Sequence, residues 1–113
     1  MKALPLKQVA GGYERCGPNE ATHIRLHVPG PLPNRILPIT LDRATAIPPC
    51  WTWNGSVDMP TVTPSVKSRG GRMVGDVYVD VVCHSWIANG QIQFLTDCTH
   101  QFAGQTHNLL DVD

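Results

Sequence analysis

Val82-Cys83-His84-Ser85-Trp86-Ile87-Ala88-Asn89-Gly90-Gln91-Ile92-Gln93-Phe94-Leu95-Thr96-Asp97-Cys98-Thr99-His100 is the stretch from which the fold can be read. Asn-Gly between two alternating apolar runs supplies the φ > 0 needed at both central residues of a type I′ hairpin turn. With Asn89-Gly90 as the loop, Ala88 faces Gln91, Ile87 faces Ile92, Ser85 faces Phe94, Cys83 faces Thr96 and Val81 faces Cys98. Alternation then sets Val81, Cys83, Ser85, Ile87, Ile92, Phe94, Thr96 and Cys98 on one face, with His84 and Trp86 on the other. Cys83 and Cys98 become diagonal neighbours, about 7–8 Å apart. A disulfide spans only about 4.4–6.8 Å between Cα atoms. Two thiolates sharing a divalent ion at about 2.3 Å each tolerate the wider spacing better.

Outward from the hairpin, all ten prolines and eight of the ten glycines punctuate the chain before residue 76 and leave little room for long helices. Short extended pieces fit instead. Gly12 to Cys16 enters a strand and Gly17-Pro18-Asn19 turns. Thr22 to Val28 alternates, with Ile24, Leu26 and Val28 on one side and His23, Arg25 and His27 on the other. Pro29 to Pro33 is a polyproline-biased connection. Ile36 to Leu41 and Trp51 to Asn54 are further strands, and Met59 to Val66 is held extended by its prolines. Lys67 to Gly75 reads as a mobile loop, and Thr106 to Leu110 as a last strand. The expected fold is mainly β: one domain over 1–113, a small sheet or sandwich with irregular Pro/Gly-rich connections and a C-terminal hairpin.

Bulk properties remove several functions. Nine basic side chains balance nine acidic ones, and Lys67, Arg69 and Arg72 form only a loose group. A phosphate-tracking surface would show a basic cluster, so nucleic acid is not the expected partner. No apolar run is long enough to cross a bilayer. Met1 to Val9 lacks the apolar stretch of a secretory signal. The expectation is a cytoplasmic protein, where cysteines stay reduced. Four cysteines and five histidines then suit a metal set better than a disulfide framework.

Cys98-x-His100 with Cys83 offers three soft or borderline donors, and a structural zinc wants four. Cys16, His23, His27, Cys50, His84 and His107 are the remaining candidates; Cys50, between Pro49 and Trp51, suits a buried thiol better than a ligand. Cys83 and Cys98 could equally be core residues, since free cysteine packs as a small hydrophobe. A nucleophilic set is also on the chain, with a Cys83 or Cys98 thiolate, His84 or His100 as base and Asp97 as orienting group. Strand alternation opposes it, because Cys83 diverges from His84 and Asp97 from Cys98. An open zinc site near His84, Asp97 and His100 would give a metal-dependent hydrolase. The chain lacks the zinc deaminase signature and His-Glu-x-x-His.

Trp51-Thr52-Trp53-Asn54-Gly55, Asp58-x-Pro60-Thr61-Val62-Thr63-Pro64-Ser65, and Cys83-His84-Ser85-Trp86-Ile87 through Asp97-Cys98-Thr99-His100-x-x-Ala103-Gly104-Gln105-Thr106 carry a resemblance. They resemble a family of small proteins of unknown function in bacteriophages and bacteria, often labelled ammonia monooxygenase. Related domains look like those of bacterial operons with ubiquitin-like conjugation components. The match is good over residues 50–110. The family's N-terminal Cys-Pro-x-Cys-like turn and following His correspond to Cys16-Gly17-Pro18-Asn19 and His23, with Asn19 in place of the second cysteine. The resemblance implies one Zn2+ held by Cys16, His23, Cys83 and Cys98, with His100 as substitute. From this follows the expectation of a zinc-stapled module that binds or modulates a host or phage protein. The alternative is the hydrolase with its open zinc near His84, Asp97 and His100.

Overall fold

Two antiparallel sheets face each other in the computed structural model, which describes residues 1–29 and 35–112. The first is built from β1 (Ala3–Val9), β2 (Gly12–Arg15), β3 (His23–Val28) and β4 (Arg35–Thr40), in the order β2-β1-β3-β4. The second contains β5 (Thr52–Trp53), β6 (Val62–Val74), β7 (Val77–Ala88), β8 (Gln91–Phe94) and β9 (Thr106–Asn108), in chain order. The mainly-β expectation holds. From residue 30 on, the polyproline-biased connection to Pro33 lies outside the described residues.

Alternation decides what each strand buries. In β3, Ile24, Leu26 and Val28 turn inward while His23, Arg25 and His27 are half-buried. In β7, Cys83, Ser85 and Ile87 are buried, while Trp86 between them is exposed. Both inner faces share one core, in which Ile24, Leu26 and Ile39 meet Val62, Ile87, Ile92 and Phe94. Burying a side chain of this size stabilises by about 1.5–3 kcal/mol. Hydrogen bonds at the rims stitch the sheets together, Trp51 donating to Thr40 (2.9 Å) and Leu110 to His27 (3.0 Å).

The hairpin turns as the sequence requires, with Asn89 at φ 52° and Gly90 at φ 77°. Its register also matches from Ala88–Gln91 to Ser85–Phe94. Beyond Phe94 the expectation fails. β8 ends there, so the Cys83–Thr96 and Val81–Cys98 pairs do not form. Instead Leu95 donates to the His84 carbonyl at 2.9 Å, and Thr99 to that of Val82 at 3.0 Å.

Lys67 to Gly75 is a second correction. Its residues up to Val74 belong to β6, paired in continuous register with β7 from Val66–Ser85 to Val74–Val77. Gly70-Gly71 reads as a loop signal, yet a long Val- and Tyr-rich partner strand overrides that local preference. The ring of Tyr78 lies where a Cβ on Gly71 would sit, so the glycine makes room for an aromatic side chain. β8 pairs with β7 only from Ser85 onward, leaving the far end of the β6–β7 ribbon to itself. Val77 and Tyr78 there are accordingly exposed.

Candidate active site

Three side chains on the outer face of the second sheet form a continuous hydrogen-bonded chain. Ser65 Oγ lies 3.0 Å from His84 Nε2. His84 Nδ1 lies 3.0 Å from Asp97 Oδ2 and 3.2 Å from Oδ1. With the imidazole neutral and its proton on Nδ1, Nδ1–H donates to Asp97 and Nε2 accepts from the Ser65 hydroxyl. A Ser-His-Asp hydrolase uses this order of groups.

Local folding brings the three together. Between Val62 and Val66 the β6 register shifts against β7, and the cis Thr63–Pro64 peptide lies in that irregularity, just before Ser65. Pairing resumes at Val66–Ser85 and Lys67–His84, which leaves Ser65 diagonal to His84 on one face. The Ser65 carbonyl takes the Trp51 indole N–H at 3.3 Å. On the far side, the end of β8 lets the chain turn through Asp97.

The thiol of Cys98 latches that turn. Its Sγ accepts the His84 amide at 3.2 Å and donates to the His84 carbonyl at 3.1 Å. Asp97 and Cys98 thus reach His84 from opposite faces of the strand, the carboxylate at the ring and the sulfur at the backbone. The hydrogen bond from His84 holds the Asp97 carboxyl below the usual carboxylate range, against a smaller opposing push from burial. The charges of His84 and Lys67 act in the same direction, and Lys67 Nζ is 3.8 Å from Oδ2.

Behind the triad, Cys83, Cys98 and His100 offer three donor atoms within 4.8 Å of one another. Both thiols are buried, and none of the four cysteines is in a disulfide. This group could hold a metal ion. A neutral His100 meets one condition on the way: its Nδ1 accepts the Phe102 amide at 3.2 Å, which puts the ring proton on Nε2. Ligation through Nε2 would move the proton to Nδ1 and release Phe102.

Cys16 and His23 do not join this group. His23 sits on the wetter side of β3, where its ring meets Tyr13 at 4.9 Å and its Nδ1 lies 2.9 Å from Thr22 Oγ1. Cys16 follows β2 among charged neighbours; burial, with Glu20 and Glu14, pushes its thiol up. Strand alternation explains the separation of His23, which points away from the core face that Cys83 occupies, whereas Cys16 packs against the core without reaching the donor group. The alternative set of His84, Asp97 and His100 divides as well, with His84 and Asp97 in the triad and His100 beside the thiols.

Sequence reasoning does not single out Ser65. The available signal was the shared departure of His84 and Asp97 from the cysteine face. Asking which hydroxyl stands diagonal to His84 on the preceding strand leads to Ser65, but only once β6 is recognised as a strand paired with β7.

No curated protein matches the chain, and no solved structure does. A family model described as a bacterial ubiquitination-like system serine protease (BubE) matches residues 34–95, a span that includes Ser65 and His84 and stops just short of Asp97. With more than half of its length inside that match, the chain belongs to the BubE family.

Proposed function

We propose that this chain is a serine hydrolase that cleaves acyl bonds in polypeptides, with Ser65 as nucleophile, His84 as general base and acid, and Asp97 as the group that orients and stabilises the imidazole. The Ser65–His84–Asp97 relay carries this reading, and the family description supports it. Ser65 Oγ forms a bond to the substrate carbonyl carbon as its proton passes to His84 Nε2. The bond to the leaving group then breaks, and Nε2 returns the proton to the departing atom. Water hydrolyses the Ser65 ester with the same base, restoring the hydroxyl. The protein partner expected from the sequence is, in this reading, the substrate.

Hydrolysis of a chromogenic acyl ester by wild type, Ser65→Ala and His84→Ala tests the assignment. Either variant should lose at least ~10³-fold in kcat/KM while keeping its fold. Equal activity in all three would reject it.

A bound Zn2+ is the finer reading of the three-donor group. Two thiolates and an imidazole suit it, with water or a further donor completing four positions. The ion would be structural and would supply a cross-link between β7 and the turn after β8. Support for a purely binding module, the other expectation from the sequence, comes from this same group and would grow if the ion were present and Ser65 inert.

A further inference from the structure

We infer that the substrate docks as an extended peptide strand on the outer edge of β6, antiparallel to it, with the acyl-side residues running alongside Lys67 to Gly71. This rests on Ser65 as the nucleophile and adds how the polypeptide is held.

The edge begins at the proposed nucleophile. β5 pairs with β6 only at Thr63 and Val62, whereas β6 continues to Val74. Past Thr63, no strand among the described residues lies on that edge. The Ser65 carbonyl shows which way the backbone groups point, because it takes the Trp51 indole on the side away from β7. Strand alternation turns the amide and carbonyl of Lys67 and Arg69 to that same side. Among the described residues no other backbone group bonds them there. Such a row is a template for an incoming strand, and natural proteins blunt rows that have no use. Here the charged side chains of Lys67 and Arg69 are drawn to Asp97 at 3.8 Å and Asp80 at 3.7 Å.

Direction follows from where Ser65 lies. Every strand pair in this sheet is antiparallel. A substrate strand of the same sense, with its reacting carbonyl at Ser65, runs its N-terminal residues toward Gly71. Main-chain hydrogen bonds then supply affinity independent of side chains, as in other cases of strand addition.

The test uses two phosphorus probes of Ser65. A simple alkyl fluorophosphonate carries no peptide backbone, whereas acetyl-tetra-alanine diphenyl phosphonate carries four acyl-side amides. N-methylating these amides one at a time should slow Ser65 labelling about tenfold or more at alternate positions, with little effect at those between. Arg69→Pro removes an outward amide from an edge, where proline is tolerated. It should slow the peptide probe by a similar factor, leave fluorophosphonate labelling unchanged, and differ from Arg69→Ala. Labelling indifferent to the position of N-methylation would overturn edge docking, while fluorophosphonate labelling preserved the nucleophile. No labelling by fluorophosphonate in folded wild type would remove the nucleophile and this inference together.

Discussion

At His84 one imidazole ring meets a hydroxyl on one nitrogen and a carboxylate on the other, and its backbone is held by the Cys98 sulfur. Asp97 is nearly half exposed, so its contribution lies in ring orientation and charge more than in burial. Asp97→Asn should lower kcat/KM by about 10³–10⁴, because an amide favours the wrong tautomer, with little change in melting temperature. The lowered pKa of Asp97 also fixes a sign. Its stabilising contribution is complete above the unfolded carboxyl's pKa and is lost as pH falls through the depressed folded value. Denaturant titrations across the acid range should therefore show a shallower acid loss in Asp97→Asn than in wild type. Cys83 was legible as a buried sulfur from parity, whereas Cys98 is buried by the turn after β8, which the strand register does not foresee. Ser65 was not, since an isolated Pro-Ser has no chemical signature until a neighbouring strand sets a histidine beside it.

Among the elements, the hairpin was the most legible, because Asn89-Gly90 fixes a turn and the turn fixes the register. Gly90 carries φ 77°, and a Cβ there would lie 3.2 Å from the Asp58 carbonyl. Gly90→Ala should cost about 1–2 kcal/mol, read as a shifted denaturant midpoint with an unchanged slope. The point where β8 stops was not legible, since Leu95 and Thr96 extend the alternation and only the bonds to His84 and Val82 reveal the turn. The first half of β6 was visible as an extended proline segment. Its second half was hidden by Gly70-Gly71 and depends on pairing with β7, a long-range fact that local propensity does not encode. A zinc ion at Cys83, Cys98 and His100 would tie β7 to the turn that bears Asp97. Elemental analysis should find about one zinc per chain, lost in Cys83→Ser and Cys98→Ser, and chelation should lower the melting temperature. A metal-free protein of unaltered stability would remove the ion from the proposal.

For the whole molecule, one core shared by two sheets holds the triad's strands in place. Phe94 is almost fully buried at the end of β8 and contacts the rings of His100 and Phe102. Phe94→Ala should cost about 3–5 kcal/mol, a large share of a small domain's stability, measurable by chemical denaturation. The two-layer, mainly-β architecture was readable from alternation and the scarcity of room for helices. The assignment of chemistry to a hydroxyl was not, because it depends on three residues from separate elements converging on one face. The most direct test of that convergence is to treat folded protein with a fluorophosphonate and map the adduct by mass spectrometry. One adduct per chain on Ser65, absent in Ser65→Ala and strongly slowed in His84→Ala, is the expected result. An unmodified Ser65, or an adduct on another residue that persists in both variants, would contradict it.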